Sequence, residues 1–166
     1  MPKNLLPAAL LMLALGACSQ TECPEATDGI DRRAYNLGII GGFSEVVRLG
    51  VKQLALSEVL IPEEMDDLLA DAEVVADRNE VLLYREEDFL VTDLYPADVA
   101  EGKHLLLIYT GDTLDQYQKI KSDKAELIKT DQYHGPARAE IARRFGHLLS
   151  YPDEVIVGLM INNAGT

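Results

Sequence analysis

The sequence predicts an α+β domain, mostly helical, with a small antiparallel sheet of about three short strands. Three observations carry that expectation. Over most of the chain beyond residue 30 the apolar residues recur with the 3.6-residue period of a helix buried on one face. Between residues 81 and 109 that period gives way to short runs rich in Val, Leu, Ile, Phe and Tyr, the pattern of strands. These runs follow one another closely. That favours local antiparallel pairing over a parallel sheet, whose strands alternate with crossover helices.

The elements follow in order. A helical pattern covers about Asp31 to Leu60, with Ile39, Ile40, Phe43, Val46, Val47, Leu54 and Leu56 among its apolar positions. Gly38, Gly41, Gly42 and Gly50 weaken it, each costing about 1 kcal/mol against Ala. Gly38 and Gly42 share a face and would admit a close neighbour, and a break near Gly41-Gly42 is the alternative. Pro62 suits the first turn of a second helix, with Glu63 and Glu64 near its positive end. Met65, Leu68, Leu69, Ala72, Val75 and Ala76 continue that helix to about Asn79. Val81–Tyr84 and Phe89–Thr92 read as a β-hairpin whose polar loop is Arg85-Glu86-Glu87-Asp88. Pro96 to Ala100 suits one helical turn stopped by Gly102, and His104 to Tyr109 reads as a third strand.

Asp112 is placed to cap a helix from Thr113 to about Thr130, with Leu114, Tyr117, Ile120, Leu127 and Ile128 facing inward. Pro136 opens the next helix, with Ala137, Ile141, Phe145, Leu148 and Leu149 on one face. Ser150 and Asp153 have capping-box spacing before a last helix striped by Val155, Ile156, Leu159 and Met160. The organisation is therefore a leader over 1–17, a polar tether over 18–29, one globular domain over 30–162 and a tail over 163–166.

The N-terminus reads as an address. Lys3 supplies one positive charge, and an apolar stretch runs from Leu5 to Leu15, interrupted only by Pro7. At about 1.5 Å per residue that stretch spans roughly 17 Å, well short of the roughly 30 Å of a bilayer core. It has the form of a signal-peptide core. Leu15-Gly16-Ala17-Cys18 follows, and this quartet resembles the lipobox of bacterial lipoproteins. The resemblance covers about the first 20 residues. It implies diacylation of the Cys18 thiol, cleavage before Cys18, and acylation of the freed amino group with a fatty acid such as palmitate. Ser19, where an Asp would retain such a protein at the inner membrane, implies the outer membrane, with the domain facing the periplasm. Several acyl chains anchor firmly, whereas one holds only marginally. The plain alternatives are an ordinary cleaved signal with a chance Cys, or an uncleaved anchor.

Charge and composition bound the function. The chain has 166 residues, 15 Lys+Arg against 28 Asp+Glu, and a net charge of −13. Removing residues 1–17 takes away Lys3 and no acid, so the mature chain is one unit more negative. Such acidity argues against nucleic acid, which needs clustered cations for phosphate. At 48% hydrophobic the chain holds enough apolar residues for a core and is not an acidic disordered chain. Its two cysteines are too few for a disulfide framework or a four-cysteine zinc site. With Cys18 acylated, Cys23 is the remaining thiol. Its flanking Glu22 and Glu25 oppose thiolate formation, so it reads as a tether cysteine, with an intermolecular disulfide as the functional alternative.

No catalytic constellation stands out. Gly42-Phe43-Ser44-Glu45-Val46 fails the Gly-x-Ser-x-Gly elbow at its last position. His104, His134 and His147 show no metal-ligand spacing, and no motif implies a cofactor or metal. Two segments carry binding chemistry. Tyr84, Arg85, Asp93 and Tyr95 combine aromatic and charged groups, with Tyr109 as a further aromatic, and Arg85 is placed to pair with Asp88 or Asp93. Arg138, Arg143 and Arg144 form the only basic concentration, suited to an anionic ligand or lipid headgroup, with Glu140–Arg144 at ion-pair spacing and Arg143 beside His147. The helix-turn-helix likeness of Ile141–Gly146 is rejected, because acids and Pro152 follow where base-reading residues belong. The expected function is a non-catalytic binding or accessory module, anchored through Cys18 and meeting a protein partner or small ligand. The alternative is a small periplasmic hydrolase using carboxylates over 86–93.

Overall fold

Helices cover both faces of a sheet of three strands. A computed structural model describes residue 29, residues 31–95 and residues 97–163. Its elements are α1 (Arg32–Arg48), β1 (Leu54–Leu56), α2 (Pro62–Arg78), β2 (Leu82–Glu86), a 3-10 turn (Ala97–Val99), β3 (Leu105–Tyr109), α3 (Thr113–Lys129), α4 (Gly135–Leu148) and α5 (Asp153–Asn163). This is the α+β class, mostly helical with a three-stranded antiparallel sheet, that the sequence predicts.

The strand order is β1-β3-β2, with β3 antiparallel to both neighbours. Leu54 and Leu82 both lie opposite Tyr109, and Leu56 and Tyr84 both lie opposite Leu107. So β1 and β2 run in the same direction, are joined through α2, and receive β3 between them. All five β3 residues are buried. Successive strand side chains point to opposite faces. Leu105, Leu107 and Tyr109 pack with Tyr117 and Ile120 of α3, Ile141 and Phe145 of α4, and Ile156 of α5. Leu106 and Ile108 pack with Ile40 and Val47 of α1 and Met65, Leu68 and Ala72 of α2. An unbroken apolar run at β3 is what burial on both faces requires.

Several expectations need correction. The helical pattern over 31–60 is one helix and then a strand. α1 ends at Arg48, and Gly50 at φ +72° begins the exit turn. The Gly50 and Val51 N–H groups donate back to the Val47 and Val46 carbonyls, the two bonds of a Schellman stop. The helix does not break at Gly41-Gly42. Gly41, rather than Gly38 or Gly42, faces a neighbour, Val75 of α2. The hairpin over 81–92 does not form. Arg85 and Glu86, expected in its loop, continue β2, which pairs with β3. Phe89 and Leu90 are buried in the core from a non-strand segment.

Helix ends differ in detail too. Asp112 stands at the head of α3, but its carboxylate accepts from the Gln116 side chain and caps no backbone group. Ser150 does not cap α5. It sits at φ +61°, and its hydroxyl accepts from the Gln53 N–H, while the Pro152 carbonyl accepts from Val155 and Ile156. Ile128 and Val155, expected inward, are exposed, because the inward stripes of α3 and α5 centre on Tyr117, Ile120 and Ile156. Cys18, Cys23, the leader and the tether lie outside the described residues, as do residues 164–166 of the tail.

Candidate functional site

A cleft of about 300 Å³ opens where the α1–β1 turn meets the α4–α5 turn. Phe43 comes from α1, Leu56 from β1, Phe89 and Tyr95 from the segment after β2, Val99 from the 3-10 turn and Tyr151 from the α4–α5 turn. The exit turn of α1 brings Lys52 to its edge. An apolar strip of α1, Ile39, Phe43 and Val46 with Val51, continues from the same corner along the surface. A larger cleft of about 410 Å³ at the first turn of α1 has mixed charged walls. There Arg33 is already held by the Asp71 carboxylate and the Asp67 carbonyl. The smaller cleft, apolar and aromatic with few polar groups, has the composition of a ligand site.

Its polar groups are few and ordered. Lys52 Nζ donates to the Leu149 carbonyl at 2.7 Å and lies 4.9 Å above the Tyr151 ring. Leu149 is the C-cap of α4, so the ammonium stands at the negative end of that helix. Burial lowers the pKa of Lys52 from its ordinary 10.5. The Tyr95 and Tyr151 hydroxyls share a hydrogen bond at 2.9 Å. Burial, then the bond to Tyr151, pushes the Tyr95 phenol well above its ordinary range. The aromatic wall is braced from behind: Phe89 meets Tyr95 edge-on at 5.6 Å and Phe145 at 5.8 Å. The Ser57 hydroxyl, also in the wall, donates to the Glu58 carbonyl and accepts from the Leu106 N–H. It therefore stitches β1 to β3. The arrangement offers one cation, two phenols and an apolar floor, which is binding chemistry.

Of the residues singled out in the sequence, Tyr95 lines this cleft and the others do not. Tyr84 is exposed on β2. Tyr109 is buried under the sheet, so Tyr84, Tyr95 and Tyr109 do not form one pocket. Arg85 does not reach Asp93. It donates to His104 Nδ1 at 2.9 Å and to the Asp66 carboxylate at 2.5 Å, with Glu87 at 3.6 Å. Asp93 instead accepts from Arg138 Nε at 2.7 Å, which joins the two segments that the sequence left separate. That bond to Asp93 raises the Arg138 pKa above its ordinary value. Arg143 pairs with Glu140 at 2.8 Å, displacing the expected Glu140–Arg144 pair. Arg144 turns to Asp123, whose carboxyl is held low by hydrogen bonds first from Lys119 and then from Arg144. His147 turns to Asp153 at 2.8 Å. Each arginine of the basic segment therefore already has a carboxylate.

The carboxylates over 86–93 form no single group. Glu86 is buried against Lys121, which the almost fully exposed Asp88 also reaches at 3.5 Å, and Asp93 belongs to Arg138. No group of three or more His, Cys, Asp or Glu among the described residues could hold a metal ion. Lys52, Phe43 and Tyr151 were missed because Lys52 and Phe43 fell inside one long helical pattern. Reading Gly50 as a helix stop would have put Lys52 in a turn. No protein-family model matches this chain, and neither does any curated protein or solved structure.

Proposed function

We propose that this chain is a bacterial envelope protein, anchored through acyl chains on Cys18, whose globular domain is a binding module facing the periplasm. The anchor rests on the lipobox resemblance of Leu15-Gly16-Ala17-Cys18 and the short polar tether behind it. Ser19 supports the outer membrane as its destination. Among the described residues, no helix is long and apolar enough to cross a membrane. The observation that carries the binding reading is the aromatic cleft, continuous with the half-buried apolar strip of α1 that ends at the exposed Val51. Such patches mark interaction sites when they are contiguous.

The test is metabolic acyl labelling combined with photocrosslinking in intact envelopes. The parent chain should take up label, Cys18→Ala should take up none, and a crosslinker placed at Val51 should capture a specific neighbour. Normal labelling of Cys18→Ala would refute the anchor. A Val51 crosslinker that captures nothing, beside a purified domain that hydrolyses a screened substrate, would refute the binding reading.

A further inference from the structure

We propose that the cleft takes a small amphiphilic monocarboxylate. Its apolar body would lie against Phe43, Leu56, Phe89 and Val99, and its carboxylate on Lys52 and the Tyr95–Tyr151 hydroxyl pair. The inference rests on reading the domain as a binding module, and not on the anchor.

Lys52 carries the argument. Many cations of this acidic chain pair with a carboxylate, as Arg33, Arg85, Lys119, Lys121 and Arg138 do, while Arg32, Arg48, Arg78 and Lys103 stand without one among the described residues and do not line this cleft. Among the described residues Lys52 also has no carboxylate within ion-pair distance. It is held by a carbonyl and an aromatic face. Lys124 is built alike, on the Val91 carbonyl and the Tyr133 ring, but it sits among other charges, Asp88 and Asp93 opposed by Arg138 and Lys121. At Lys52 the partners are dipoles, the carbonyl end of α4 and an aromatic face, and no described carboxylate is in ion-pair reach. An ammonium has three N–H donors, and the Leu149 carbonyl uses one. The two phenols hold two protons and spend one on each other. The cleft, whose other charged group is the exposed Glu58, thus presents a positive charge with unused donors, a fit for a carboxylate by charge-assisted hydrogen bonds.

Size and repulsion narrow the class. A volume of about 300 Å³ equals that of about ten liquid waters, so the ligand has on the order of ten heavy atoms. Glu58 is exposed and lines the same cleft, so a ligand with two negative charges would be repelled more than one with a single charge held on Lys52. Octanoate has the right size and charge; 1-octanol is its neutral counterpart and suberate its dianion.

Titration calorimetry on the folded domain tests this. Octanoate should bind about tenfold or more tightly than 1-octanol, the ratio expected of one charge-assisted bond, and more tightly than suberate. Lys52→Gln should remove that advantage, bringing octanoate and 1-octanol to similar affinity. Val99→Glu, which places a carboxylate in the exposed wall, should weaken octanoate without depending on Lys52 for folding. Equal affinity for octanoate and 1-octanol, no octanoate binding, or octanoate affinity indifferent to both variants would overturn the inference. If octanoate fails while a crosslinker at Val51 still captures a specific neighbour, this inference falls and the binding module stands. If octanoate fails, the crosslinker captures nothing and the purified domain hydrolyses a screened substrate, both fall.

Discussion

Glu86 shows how one residue can mislead a reader of sequence. It stands in Arg85-Glu86-Glu87-Asp88, which looks like a solvated turn, yet it is 3% exposed. Oε1 accepts from Lys121 Nζ at 3.0 Å and from the Asp88 N–H at 2.8 Å. Oε2 is buried without a hydrogen bond of ordinary geometry. A buried carboxylate is tolerable only while it is paired and hydrogen-bonded. Lys121→Met should therefore destabilise the fold. Because Lys121 is 21% exposed, water already screens the pair, and the loss should be about 1–3 kcal/mol, below that of a fully buried pair. Adding Glu86→Gln should recover most of it, by denaturant titration of the single and double variants. Equal stability of Lys121→Met and the parent would mean that the pair contributes nothing. The arginines teach a similar lesson. Arg138 was visible as a basic residue and Asp93 as an acidic one, but 45 positions of sequence separate them, and only folding makes them partners.

At the scale of elements, four helices stop in the same way. After α1, α2, α3 and α4 the chain turns left-handed at Gly50, Glu80, Asp131 and Ser150. Each of these residues and its successor donate back to carbonyls in the last helical turn. Only one of the four is glycine, so only one stop carried the usual mark, and even that one was read as a flaw in a longer helix. Here lies most of what sequence could not show. Helix interiors are set by spacing, and α2, α3 and α4 were legible from it. Helix ends depend on backbone angles that Glu, Asp and Ser do not advertise. The end of β2 escaped for a related reason: Arg85 and Glu86 extend the strand read over Val81–Tyr84, and they find partners on other elements, Asp66 and His104 for Arg85 and Lys121 for Glu86. A non-glycine residue in the left-handed region costs about 1–2 kcal/mol, part of which glycine returns as entropy of the unfolded chain. Glu80 is exposed at φ 56°. Glu80→Gly should raise stability by about 0.5–1 kcal/mol, read as a higher denaturation midpoint with unchanged slope. A lower midpoint would show that the Glu80 side chain contributes more than its backbone loses. Lys52 sits just past the first of these stops, so the site that sequence missed was hidden by the element boundary that sequence missed.

At the scale of the whole molecule, buried phenols set the alkaline limit. Tyr95, Tyr109, Tyr117 and Tyr133 all have pKa values raised above the ordinary 10.0, in each case chiefly by burial. The folded state therefore keeps protons that the unfolded chain releases near pH 10. Their contribution is whole below pH 10 and is lost as pH climbs from there toward the folded values. Lys52 and Lys124 act oppositely. Their pKa values are lowered by burial, so the cost of holding them charged is relieved as pH approaches 10.5. Stability should therefore hold or rise slightly up to about pH 10 and then fall steeply, with tyrosinate absorbance appearing together with loss of circular dichroism. Ionisation of Tyr95, Tyr109, Tyr117 and Tyr133 at pH 10 in a still-folded protein would contradict this.

The insertion of β3 between β1 and β2 also fixes an order in time. A chain that has emerged as far as residue 104 holds both outer strands, and neither has anything to pair with. Joining Leu54 to Tyr109 then closes a loop of roughly 55 residues, the kind of distant contact that slows folding. The two apolar clusters share β3 as their common wall, so neither is complete before it arrives. Two-thirds of the polypeptide thus stays uncommitted to its sheet until the central strand appears, an interval in which the chain can still be threaded through a pore in extended form.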